Sequence, residues 1–217
     1  MYSAEYAYQF KLYLSAEDIP YYTYIEFTSW IDLKAKIPNW DTIQALKIGG
    51  YIMPCTALPE EPGYWPRELI DLNLESNNLV KLPEHVGYWP DSLENLHLSY
   101  NPDLVALPNI PGYLPPKLRI LYLNNTGLTT LPDIPEYWPK YLHSLYLYDC
   151  PKLCIFPENL TECVNMLHFS YIGCPVAIDN IPLSVRQWLD NINFIARCIY
   201  IETSSNIEDY LVRCRLH

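Results

Sequence analysis

Residues 69–83 read LIDLNLESNNLVKLP: Leu69, Leu72 and Leu74 in close succession, then Asn77, Leu79 and the pair Leu82-Pro83. The same order returns as Leu93, Leu96, Leu98, Asn101, Leu104, Leu107, Pro108, and again as Leu118, Leu121, Leu123, Thr126, Leu128, Leu131, Pro132. A fourth unit runs Leu142, Leu145, Leu147, Cys150, Leu153, Phe156, Pro157, so the first leucines stand 24, 25 and 24 residues apart. Degenerate units flank these four: Ile43, Leu46, Ile48 before them, and Val164, Leu167, Phe169 after them. A fixed period of this length marks a chain built from stacked copies of one supersecondary unit.

Each position has a physical job. Two leucines separated by one residue point to the same face of a short strand, and successive units stack such strands ~4.8 Å apart into a parallel sheet. The Asn position turns the chain, and its amide can satisfy the backbone groups of neighbouring turns. The later leucines and the Leu-Pro pair fill the rest of the interior. A buried leucine is worth ~1.5–3 kcal/mol, yet no single unit can bury its own face, so the units stabilise one another. The segment 116–135, PKLRILYLNNTGLTTLPDIP, resembles the short, Pro-rich class of leucine-rich repeats found in bacterial secreted effectors and in large DNA viruses. The resemblance spans roughly residues 43–180. It implies an α/β fold: a leucine-rich repeat solenoid whose curved parallel sheet faces a mostly extended or irregular convex side. Some of those effectors carry a ubiquitin-ligase domain with a Cys-x-Asp nucleophile. None of the residues two after the seven cysteines is Asp, so that activity is not implied here.

A second ladder accompanies the leucines. Tyr64-Trp65-Pro66, Tyr88-Trp89-Pro90, Tyr113-Leu114-Pro115 and Tyr137-Trp138-Pro139 recur just ahead of each strand. Proline there disfavours a long helix on the returning segment. The rings are expected to pack as an aromatic stack along the convex edge, in preference to lining a peptide groove.

A solenoid needs caps over its terminal leucines. Residues 1–40 read as a β-rich N-terminal cap: Tyr8, Phe10, Leu12 and Leu14 alternate, and 22–31 (YTYIEFTSWI) is rich in strand formers. Residues 41–182 hold about six repeat units, and 183–217 form a small α/β C-terminal cap with a terminal helix. Within that cap Ser184–Asn191 reads as a short helix and Phe194–Ile201 as a strand. Ser205 followed by Glu208 is a capping-box signature that opens the terminal helix through about Arg213.

The composition bounds the partners. With 14 basic and 25 acidic residues the net charge is −11, which repels phosphate backbones and anionic headgroups. Nucleic acid and membrane surfaces are therefore not expected as partners, and a basic protein surface is the better match. The N-terminus lacks a secretory signal, and seven cysteines, an odd number, suit reduced thiols, so a cytoplasmic or intracellular protein is expected. Cys150, Cys154, Cys163 and Cys174 do not have zinc-knuckle spacing, and no metal or cofactor is expected. The sequons Asn124-Asn125-Thr126 and Asn159-Leu160-Thr161 carry no meaning without export.

The repeat register assigns the concave face. The residue between the two strand leucines points out of the core, giving Lys47, Asn73, His97, Tyr122, Tyr146 and His168. Two residues on come Gly49, Glu75, Ser99, Asn124, Tyr148 and Ser170, and then Tyr100, Asn125, Asp149 and Tyr171. From this set the expected protein-binding residues are Asn73, Glu75, His97, Tyr100, Tyr122, Asn124, Tyr146, Tyr148, His168 and Tyr171. Tyrosine is enriched at interfaces, although its strand propensity also suits exposed β-positions. His97 and His168, three strands apart, are ~14 Å from one another and cannot share a metal. Asp71 and Glu75, ~13 Å apart in one strand, are too far separated for a glycosidase pair. No phosphate loop or nucleophile with partners occurs, so enzymatic activity is not expected. The sequence points to a non-enzymatic scaffold or adaptor that holds a protein on its concave face. The alternative expectation is a structural subunit of a large assembly, such as a minor capsid component of a large DNA virus, located in the virion. The viral resemblance and a chain running from Met1 to His217 feed that alternative.

Overall fold

The computed structural model describes residues 8–15, 23–27, 29–49 and 54–203, with side chains from 29–49 and 54–193. Its centre is a stack of six three-residue parallel strands: β3 (Ala45–Lys47), β4 (Asp71–Asn73), β5 (Asn95–His97), β6 (Ile120–Tyr122), β7 (Ser144–Tyr146) and β8 (His168–Ser170). Two further strands, β1 (Tyr8–Ser15) and β2 (Thr23–Phe27), extend the sheet antiparallel beyond β3. The result is a parallel α/β solenoid of leucine-rich coils, with a β-hairpin at one end and a helix, α2 (Leu183–Thr203), at the other.

The leucine positions explain the stack. Leu46, Leu72, Leu96, Leu121, Leu145 and Phe169 are paired across the sheet as one row. In the four full units the other repeat leucines and Phe156 are buried as well, forming one continuous core. Among the described residues the returning segments hold no α-helix. Each closes on its strand by a turn in which the amide of Leu69, Leu93, Leu118 or Leu142 donates to the carbonyl of Pro66, Pro90, Pro115 or Pro139. Proline suits that role because its fixed φ and missing N–H cost nothing in a turn.

The Tyr-Trp ladder lies within this core. Trp65 stacks on Trp89 at 6.0 Å, and Tyr88 meets Trp89 edge-on at 4.7 Å. The Trp65 and Trp89 N–H groups and the Tyr113 and Tyr137 hydroxyls are buried without a hydrogen bond of good geometry; the two indoles only approach the hydroxyls of Tyr88 and Tyr113. Desolvation drives the hydroxyls of Tyr64, Tyr88, Tyr113 and Tyr137 well above the ordinary tyrosine range. These rings are packing, not a groove.

The turn position is equally regular. Asn77 Nδ2 donates to the carbonyls of Ile48 and Leu74, and its Oδ1 accepts from Cys55 N. Asn101 repeats this one coil on, with Leu74, Leu98 and Leu79. Thr126, Cys150 and Cys174 continue the row, each donating to a strand-end carbonyl (Leu123, Leu123 and Leu147). The chain reversal itself falls on the residue before: Ser76, Tyr100, Asn125, Asp149 and Gly173 all have positive φ. Only Gly173 has the freedom for this at no steric cost, and a Cβ there would meet Asp149 Oδ1 at 2.1 Å.

Three expectations change. First, α1 (Trp30–Lys36) occupies part of the N-terminal region read as β-rich. Ser29 caps it by accepting from Asp32 N, and Trp30, Leu33 and Ile37 have helical spacing. Second, residues 194–201 are not a strand: α2 runs unbroken through them. Val185, Leu189 and Ile192 are its buried stripe, and the apolar spacing continues in sequence through Ile195 and Ile199. The terminal helix expected at 205–213 lies outside the described residues. Third, the last coil is two residues out of the expected register. Phe169, not Leu167, pairs with Leu145, and Met166, not Val164, is buried opposite Leu142.

Candidate functional site

The open face of the sheet is built from residues that alternate with the core row. Lys47, Asn73, His97, Tyr122, Tyr146 and Ser170 are paired in order across it. The His97 ring stacks on Tyr122 at 4.4 Å between centroids and 16° between planes, and Tyr122 stacks on Tyr146 at 4.9 Å and 10°. Tyr148, two residues along the same chain, lies 6.0 Å from Tyr146 and nearly parallel to it. Strand spacing dictates this: identical positions on parallel neighbours sit ~4.8 Å apart, close to the offset-stacking distance of aromatic rings.

The neighbouring row holds Asp71, Asn95, Ile120, Ser144 and His168. Asp71 Oδ2 stands 3.4 Å from His97 Nε2 and accepts from Asn95 Nδ2 at 3.2 Å. Burial, followed by Tyr146 and the Asp71 charge, raises the Tyr122 hydroxyl above its ordinary pKa. On the other side, Asn73 Oδ1 accepts from Glu75 N, and Asn124 Oδ1 accepts from Tyr148 N. These bonds fix the backbone that carries Glu75 and Tyr148. Tyr100 stands at the left-handed turn position, 42 % exposed, and lines a shallow groove of about 650 Å³ at the C-terminal edge of the strands.

Nine of the ten expected contact residues therefore share this face or its C-terminal rim; the row of His168 and the face of Tyr171 need correction. His168 is not in the Tyr122–Tyr146 row: it is exposed but pairs with Ser144, and Ser170 occupies the place beside Tyr146. Tyr171 is not on the open face at all. It packs on the core, 5.1 Å from the Phe156 ring and 5.8 Å from Phe169. Both follow from the shifted last coil. The missed signal was Met166, which stands 24 residues after Leu142.

Sequence reasoning passed over the N-terminal edge of the strands. There a single carbonyl in each coil accepts two successive amides from the next: Ile70 from Glu94 and Asn95, Glu94 from Arg119 and Ile120, Arg119 from His143 and Ser144, and His143 from Leu167 and His168. This ladder aligns Glu94, Arg119, His143 and Leu167 along one wall of a groove of about 730 Å³, with Lys117, Tyr141 and Asn165 along the other. His143 Nδ1 is 2.8 Å from Ser144 Oγ, but Ser144 is buried, 2 % exposed, which leaves no access for it as a nucleophile. Burial, then the charges of Arg119 and His168, hold His143 below its ordinary pKa.

Among the described residues no group of three or more His, Cys, Asp or Glu side chains is placed to hold a metal ion, and no helix is long and apolar enough to cross a membrane. Cys55, Cys150, Cys154, Cys163 and Cys174 are free thiols, and burial pushes Cys55 and Cys174 up to about 11 and Cys163 up to about 12. No protein-family model matches the chain, and no curated protein is significantly similar to it.

Proposed function

We propose that this protein is a non-enzymatic scaffold that binds a protein partner on the open face of its sheet. The observation that carries the reading is the half-buried ring ladder of His97, Tyr122, Tyr146 and Tyr148. Rings held by their neighbours lose little conformational entropy on binding, and rigid aromatic anchors of this kind dominate interface energetics. Asp71 and Glu75 flank the ladder and the net charge is −11, so a basic partner surface fits best. The partner would be met by an intracellular protein.

The test is affinity capture of the native protein, identification of what co-purifies, and titration of that partner against Tyr122→Ala and Tyr146→Ala. The expected result is at least a tenfold loss of affinity, ~1.4 kcal/mol, with the melting curve kept. Unchanged affinity in both variants would remove the open face as the contact surface. A second reading, a subunit of a large particle such as a viral capsid, is favoured by the exposed Val80, Val86, Val105, Ile155, Ile172 and Ile178, which lie away from the ladder. It predicts a fixed stoichiometry by mass spectrometry of purified particles.

A further inference from the structure

The groove at the N-terminal edge of the strands has a chemistry opposite to that of the chain as a whole. Lys117 and Arg119 lie on its two walls, His143 lines it one coil further, and Asn165 in the next coil donates to the carbonyl of Lys140. The carboxylate lining it, Glu94, is 3.5 Å from Arg119 Nη1. The Arg119 side chain is 55 % exposed and that of Glu94 37 %, and at this distance the pair is weak, so Arg119 can also take an incoming carboxylate. Beyond the cations stand two exposed apolar groups, Tyr141 at 57 % and Val164 at 72 %. We infer that this groove is a second binding surface, separate from the aromatic ladder, and that it takes an acidic peptide segment carrying an apolar residue.

The dimensions suit an extended chain. From Glu94 to Leu167 the groove crosses four coils, three strand spacings or ~14 Å, which about four extended residues span. A carboxylate over Lys117 and Arg119 places the side chain two residues on, which shares its face of an extended segment, toward Tyr141 and Val164. A second copy of this chain, acidic overall, and a nucleic acid are the other occupants with negative charge; the first is tested below by self-association, the second by binding of a single-stranded oligonucleotide.

The experiment uses the full chain and a fluorescein-labelled peptide of Asp-Ser-Leu-Ser repeats, which puts aspartate and leucine on one face of an extended chain, read by fluorescence anisotropy, with the peptide carrying lysine for aspartate as control. The acidic peptide is expected to bind, the lysine peptide not, and the affinity to weaken as salt is raised past the range where the Debye length is ~10 Å. The double variant K117E/R119E is expected to lose at least tenfold in affinity. Tyr141→Ala is expected to weaken binding with the salt dependence unchanged, and Tyr122→Ala, on the other face, to leave it unaltered. All four positions are at least partly exposed, and circular dichroism melts check that each variant is folded. The inference is overturned by no binding of the acidic peptide, by equal binding of the lysine peptide, or by retained affinity in K117E/R119E. Tighter binding of a single-stranded oligonucleotide overturns it too. So does self-association in sedimentation velocity that K117E/R119E abolishes, which assigns the groove to a second copy.

Discussion

Asn101 shows what one side chain does in a coiled stack. Its amide ties the ends of two strands together and its carbonyl oxygen holds the amide of Leu79, all out of reach of water. Asn101→Ala leaves these groups without partners, at ~1–3 kcal/mol for each orphan, so a loss of about 3 kcal/mol or more is expected in urea unfolding. Thr126→Ala, which removes one donor, is expected to cost ~1 kcal/mol. The buried thiols add a pH dependence. Cys55, Cys163 and Cys174 titrate higher in the folded chain than their ordinary value of 9.0. A raised acid pKa means the folded state keeps its proton where the unfolded state has lost it. Their contribution is therefore complete below pH 9 and lost as pH climbs through about 11 to 12, and the melting temperature should fall across that window in calorimetry. The same burial predicts that iodoacetamide labels Cys154 before Cys55 or Cys163. The Asn row was legible in the sequence, since spacing and chemistry agree. Its continuation in Cys174 was not, because a thiol at a degenerate unit gives no signal without the neighbouring carbonyl.

The last strand is the element on which sequence and structure part. Counted from leucines, Leu167 occupies the core; counted from the period, Met166 does, and the structure follows the period. A two-residue shift preserves which residues alternate, so His168 still faces outward, but it moves every side chain one row and takes Tyr171 from the open face into the core. Met166→Ala is expected to destabilise by about 2–5 kcal/mol, and Leu167→Ala, at the groove, by less than about 1 kcal/mol. Denaturant midpoints for the two variants decide the register, and equal losses would contradict it. Likewise α2 continues where Phe194–Ile201 has strand-like composition, because a helix already packed on its Val185, Leu189 and Ile192 face extends at the low cost of propagation.

At the scale of the molecule, coils contact only their neighbours, and stability is a sum along the stack with weaker ends. Trp188 on α2 meets Phe169 at 5.4 Å and directs its N–H toward the Cys163 carbonyl, closing the final coil. Trp188→Ala is expected to raise amide exchange in β8 and the segment 158–174 several-fold, with β5 and β6 unaffected; uniform change along the stack would show that the coils unfold as one unit. The sequence by itself determined the solenoid, its period, the buried leucines and the outward row through Tyr146, because a repeated pattern of spacing repeats the same local geometry. The caps, the final register, the stacking of His97 on the tyrosines and the cationic groove were decided only by the tertiary structure. They depend on distances between coils and on what packs against the two ends, and neither is encoded in the pattern of any single coil.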